Sequence, residues 1–194
     1  MKCRVLDLYP TQLALGLLEV TDKAAKFKKM RPAEIEKYLR DHPVPIVIGP
    51  KGRRFIVDHH HLVRAAWEVG IEDVLSELRG DLSELDTDAF WARLTELNWS
   101  HLYDQFGNGP HPYTNLPDSV RGLADDPFRS LAWAVKEDGG YLKSEEPFAE
   151  FKWANYFRKC LKAHPVVDDF QEARKEALAL ARKPEAKKLP GFIA

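Results

Sequence analysis

Apolar positions recur along the chain with two periods, and the change of period marks the elements. Residues 4–8, RVLDL, read as a short strand closed by the turn pair Tyr9-Pro10. TQLALGLLEV and TDKAAKFKKM follow; Gly16 interrupts the first, and Thr21 stands where it can cap a helix in the second. Pro32 suits a first helical position, and Ile35 and Leu39 share one face of AEIEKYLR. Two apolar runs, PIVIG and RRFIVD, flank Gly49-Pro50-Lys51-Gly52, which predicts a β-hairpin. HHLVRAAWEVG has helical spacing, with Asp58 placed to cap it and Gly70 to stop it. EDVLSELRG suits one more strand, although its Leu and Glu content fits a helix equally.

Beyond that point the helical period takes over. DTDAFWARLTELNW has Asp86 or Thr87 as cap and sets Phe90, Leu94 and Leu97 on one stripe. YDQFGNGPHPYTNLP is a long loop of the kind that often serves a site. DDPFRSLAWAVKEDGG, PFAEFKWANYFRKCL and VVDDFQEARKEALALARK predict three more helices, and KPEAKKLPGFIA a loosely held tail. The reading is an α+β chain: an α/β domain over residues 1–82, and a helical extension packed on it over residues 83–194.

Composition narrows the function classes without choosing one. Hydrophobic residues make up 44% and charged residues 30% of the 194, a globular balance. The net charge is −1 and the pI about 6.7, so DNA binding would need a local basic patch. Two cysteines, Cys3 and Cys160, are too few for a disulfide framework and lack zinc-finger spacing. No run is long and apolar enough to span a membrane, and the N-terminus lacks a signal-peptide pattern. A soluble, cytoplasmic setting is the expectation.

Three of the seven histidines stand together in FIVDHHHLVRA, at the strand-to-helix junction. A helix opening near His59 exposes backbone N–H groups and the positive end of its dipole, a ready anion site. His60 and Arg64 are four apart, so an imidazole and a guanidinium can converge on one ligand. Adjacent histidines on a helix point about 100° apart, which argues against a shared zinc ion. The bland alternative is that one or more of them only hydrogen-bonds within the fold.

The order of elements, and the run PVPIVIGPKGRRFIVDHHHLVRAA, resembles the ParB/sulfiredoxin superfamily, in the branch labelled ParB-like nucleases. LDLYPTQLALG looks like that family's first box, in which Thr11 and Gln12 form the polar pair. DDPFRSLAWAV and EFKWANYFR are similar to segments of the same branch, so the likeness extends to about residue 162. The resemblance implies a small mixed sheet with helices, and a motif that grips nucleotide phosphates at the position of Asp58, His59, His60, His61 and Arg64. Members bind or hydrolyse ATP or CTP, some transfer phosphate, and others are described as nucleases. The chain departs from sulfiredoxins, having no Cys near residue 60, and from partition proteins, lacking their Arg-rich box and an evident recognition helix.

The resulting expectation is an enzyme that hydrolyses or transfers a nucleoside phosphate, or a nuclease. Nucleotide is the partner, DNA a second one, and Mg²⁺ enters with ATP or another nucleotide. Phosphate binding falls to His59, His60, His61, Arg64, Thr11 and Gln12. Catalysis falls to Asp58, His60 and Glu19; Asp58 is the metal candidate and alternatively a plain cap, and Glu19 a general base by position in the family or a surface carboxylate. Lys26, Lys28 and Lys29 form a basic cluster that suits phosphate or open solvent. Arg129, Ser130, His101 and His111 are further polar groups with no order imposed by the sequence. The competing class is a non-catalytic nucleotide- or DNA-binding module.

Overall fold

A computed structural model describes residues 1–161, 166 and 168–193. Two units divide it, Met1–Ala124 and Asp125–Ala194.

In the first unit five strands form one mixed sheet: β1 (Lys2–Arg4), β2 (Leu8–Tyr9), β3 (Val44–Ile48), β4 (Arg54–Ile56) and β5 (Asp73–Asp81). Their spatial order is β1-β5-β3-β4-β2. β3 and β4 are the expected antiparallel hairpin, with Ile46 opposite Ile56 and Val47 opposite Phe55. β5 runs parallel to β3 and antiparallel to β1, which settles EDVLSELRG as a strand. Pairing on both sides explains why Val74 and Ser76 lie buried despite the helix-forming Leu and Glu around them. The stretch RVLDL divides instead: a single 3₁₀ turn over Val5–Asp7 separates β1 from β2.

Successive residues point to opposite faces of a strand, and both faces are covered here. Val44, Ile46 and Ile56 enter one core with Val20, Ala24 and Phe27 of helix α1 (Leu17–Lys29), Leu39 of α2 (Pro32–Asp41), and Leu62, Val63, Ala65 and Ala66 of α3 (His60–Glu68). Val47 and Phe55 enter the opposite core with Phe90, Trp91 and Leu94 of α4 (Thr87–Glu96). That second face keeps α4 with the sheet in the first unit. Without α4, Val47 and Phe55 would be left in water.

Two cap expectations are corrected. α1 is continuous from Leu17 to Lys29 with Gly16 before it, so Thr21 sits inside the helix and caps nothing. Val20, Ala24 and Phe27 form one unbroken buried stripe, which outweighs the break suggested by the glycine and the charged second half. α3 begins at His60, and the residue ahead of it is His59 in the left-handed region, φ 65°. Asp58 makes no cap to the helix; its carboxylate accepts the His59 N–H at 2.6 Å.

The second unit contains α5 (Pro127–Glu137), α6 (Ala149–Cys160) and α7 (Phe170–Ala181), close to the expected bounds, although Val167 of the last stretch lies outside the described residues. Asp126 caps α5 by accepting the N–H groups of Phe128 and Arg129. Trp153 and Phe157 are fully buried, and α7 meets them with Ala173, Ala177 and Ala181, small side chains that allow close approach. The tail is held rather than loose: Leu189 and Phe192 pack on this core, and the Trp153 indole N–H donates to the Pro190 carbonyl at 2.7 Å. No helix among the described residues is long and apolar enough to cross a membrane.

Truncating the chain before Leu189 should therefore cost about 3 kcal/mol, from two apolar side chains returned to water and an indole N–H left buried without its acceptor. Differential scanning calorimetry of the truncated chain against the full one checks this.

Candidate functional site

The junction between β4 and α3 is built by a local backbone choice. His59 takes the left-handed conformation between the bend at Val57-Asp58 and the helix, which a histidine tolerates better than a β-branched residue does. It leaves the α3 opening with no side-chain cap. From there each ring of the histidine triplet takes a different direction.

His60 points inward and is 2% exposed. Its Nε2 accepts the backbone N–H of Thr11 at 3.1 Å, while the Thr11 hydroxyl donates to the Ile56 carbonyl at 2.7 Å. Burial, then the neighbouring His61 and His59, hold the His60 pKa down at about 3. The ring is therefore neutral at any ordinary pH, which suits an acceptor and removes it from proton exchange. His61 turns toward α1: its Nε2 accepts the Gly16 N–H at 3.2 Å. The same nitrogen lies 3.6 Å from the Glu19 carboxylate, and Glu19 lies 3.4 Å from the Lys23 ammonium. His59 is half-buried, with its pKa lowered by burial against the opposing pull of Asp58, and lowered further by His42 and Lys23.

The 3.6 Å separation is too long for a hydrogen bond, and the tautomer explains it. While Nε2 accepts from Gly16 it carries no proton to offer Glu19. Protonation would reverse its role and turn it into a donor to the carboxylate. The Gly16 N–H and the Glu19 carboxylate thus both lie close to this nitrogen.

The structure brings Thr11, His60, His61 and Glu19 together across about 50 residues of sequence, but separates Arg64 from them. Arg64 donates to the carbonyls of Val120 at 3.0 Å, Arg121 at 3.2 Å and Leu123 at 3.4 Å, and pairs with Glu68 at 3.0 Å. The convergence of His60 and Arg64 on one ligand does not form, because one is consumed by a backbone amide and the other by three backbone carbonyls. Gln12 is buried at 8% exposure and its backbone bridges to His101. Asp58 is exposed, and its bond to the His59 N–H fixes the turn.

The remaining polar groups go elsewhere. The His101 N–H donates to the Thr11 carbonyl at 2.9 Å, and His111 pairs with Asp104 at 3.1 Å within the loop. Lys26 pairs with Asp22 at 2.6 Å. Arg129 and Ser130 are buried in the second unit, where Arg129 pairs with Glu150. Lys23 and Gly16 were missed as site residues. The signal for Lys23 was present, since it follows Glu19 by four on one helix. Among the described residues no three His, Cys, Asp or Glu side chains gather as a metal cage. A Mg²⁺ ion, which is commonly held by one carboxylate and substrate phosphates, needs no such cage.

Comparison with known proteins gives the family. The family described as "Putative ParB-like nuclease" matches residues 1–159. The crystal structure of protein Atu1540 from Agrobacterium tumefaciens is similar over 100% of this chain and 95% of its own, at 37% sequence identity and a TM-score of 0.91. No protein with a curated description matches the chain.

Two outcomes follow from the geometry. Since His60 is neutral in the fold but titrates near 6.5 when unfolded, the unfolded chain binds the extra proton. Stability should fall as pH drops from 6.5 toward about 3, by about 1 kcal/mol per pH unit from this group. Urea unfolding across that range should show this slope, flattened in His60→Gln. Arg64→Ala should lower stability by about 2 kcal/mol by orphaning the 120–123 carbonyls; thermal unfolding measures it.

Proposed function

The chain belongs to the ParB-like nuclease family, and from that membership we propose that it cleaves or transfers phosphate esters of nucleotides at the mouth of α3. The observation that carries this reading is the Glu19–His61 pair, a carboxylate and an imidazole from separate helices sharing one nitrogen with the Gly16 amide. Lys23 lies beside the pair, close enough that its charge also reaches His59.

The proposed division of labour differs from the one the sequence suggested. Uncapped N–H groups at the start of α3, His59 and the Lys23 ammonium receive the phosphate oxygens. Glu19 takes the proton of the attacking water or hydroxyl. Glu19 passes that same proton to His61, which exchanges its Gly16 contact for a bond to the restored Glu19 carboxylate, and the leaving oxygen then takes the proton. His60 and Thr11 position this machinery from beneath and touch no substrate. Asp58 is the carboxylate that would hold a Mg²⁺ ion brought in with the nucleotide, and that ion would supply charge neutralisation.

The test uses nicking of supercoiled plasmid and release of product from ATP, ADP and CTP, with and without Mg²⁺. Glu19→Gln, and His61→Gln with an amide oxygen as acceptor for the buried Gly16 N–H, should each reduce turnover by roughly 100-fold or more while leaving the melting temperature near that of the wild type. Lys23→Ala should act mainly on KM. Saturable binding of nucleotide or DNA with no turnover would instead make the protein a binding module, and activity that survives both variants would remove the pair from the chemistry.

A further inference from the structure

The face of the sheet opposite α3 carries a cavity of about 260 Å³, bounded by Tyr9, Phe55, Trp91, Tyr113, Arg53 and Asp118 among others. Phe55 and Phe90 close its inner side with ring centroids 4.7 Å apart, and Trp91 stands edge-on to Phe55. Gly49 lets these rings close up, since a Cβ there would lie 2.7 Å from both Phe55 and Phe90. Trp91 and Tyr113 lie nearly parallel, 6° apart at 5.4 Å, and the Tyr113 hydroxyl is held by Asp88 at 2.9 Å.

The rim is charged. Arg53 lies over the Tyr9 ring at 5.1 Å, and Lys51 sits in the same hairpin turn with φ 61°. Neither is paired with a carboxylate among the described residues. Against these two cations the lining sets one carboxylate, Asp118, and the hydroxyls of Thr87 and Thr114. Cavities for drug-sized ligands begin at about 300 Å³, so this one takes a single ring system whose sugar or anionic substituent reaches out to the rim.

We propose that this cavity is a second ligand site, separate from the histidine junction, for a planar aromatic ring bearing one anionic group. The ring stacks on the aromatic wall, which any π-face can use. The anion lies at Arg53 and Lys51, where a guanidinium already fixed by Tyr9 gives directed donors. Asp118 and the threonine hydroxyls accept from ring or sugar N–H and O–H groups. A ring bearing a positive charge is disfavoured by the same two cations. Nucleoside monophosphates and aromatic carboxylates share the required chemistry.

Isothermal titration of the full chain with AMP, CMP and indole-3-carboxylate tests this, with adenosine and inorganic phosphate as half-ligands. Saturable binding is expected for at least one probe that joins ring and anion, and binding of adenosine or phosphate alone should be at least tenfold weaker. Arg53→Ala, a change on an exposed side chain, should weaken the binding at least tenfold with an unchanged melting temperature. Thr114→Trp should abolish it by filling the cavity. Preference for AMP and CMP or for the carboxylate identifies the source, and either supports the site. Absence of saturable binding by any probe, or affinity indifferent to Arg53→Ala and Thr114→Trp, would overturn it. Binding lost in Glu19→Gln but kept in Arg53→Ala would also overturn it, by placing the ligand at the histidine junction.

Discussion

The contact between Thr11 and His60 organises the first unit. Thr11 uses all three of its polar groups at once: its N–H donates to the His60 ring, its hydroxyl to Ile56, and its carbonyl accepts from His101. None of these could be left unmade at a residue that is 0% exposed, since an unsatisfied buried group costs about as much as a whole net hydrogen bond or more. The contact therefore fixes where the chain leaves β2, and so where Gly16 and α1 begin. Glu19 and Lys23 then come to the α3 side of the sheet as a consequence. The Glu19–His61 contact thus depends on a buried histidine, His60, that serves as a neutral acceptor.

The small residues between α1 and α3 make the arrangement possible. Ala24 on one helix and Ala65 and Ala66 on the other are buried in the shared core, and they let the two axes approach closely. Close approach brings the first turns of both helices together, and the candidate chemistry lies there. The other face of the sheet uses the opposite solution. Large rings from α4 and β4 fill the space, and the gap they leave is lined by aromatic surface. One sheet thus offers a polar, titratable edge on one side and a flat, stacking wall on the other.

Much of this was legible in the sequence, and the losses have physical causes. The hairpin was readable because Gly49-Pro50-Lys51-Gly52 is a local signal, and α5 because Asp126, Pro127 and Gly139 mark its ends. The family was readable from the same hairpin and the histidine run, and the match over residues 1–159 agrees with it. What failed was either a choice between two local partners or a contact set by a partner far along the chain. Asp58 looked like a cap by type, yet its carboxylate turned to its own neighbour's N–H, an alternative open to every Asp. Arg64 looked like a phosphate fork, yet the 120–123 carbonyls, 56 residues away, had the stronger claim. The tail read as loosely held, but the Trp153 indole N–H is donated to the Pro190 carbonyl.

The histidine run shows how the rotation of a helix divides labour among identical side chains. A step of about 100° per residue was enough to argue that three consecutive rings would not share a metal ion, and it applies with equal force to a shared phosphate. His60 turns to the core and loses its proton chemistry to burial. His61, one step on, meets the first turn of α1 and keeps a choice of partners. His59 precedes the helix in the left-handed region and stays half-open beside Asp58. The triplet is thus one residue buried against Thr11, one turned to the first turn of α1 and one half-open at the junction, so three identical side chains meet three different surroundings. Exchange of His60 with Gln would preserve an acceptor for the Thr11 N–H, whereas the same change at His61 would take the imidazole away from the Glu19 carboxylate.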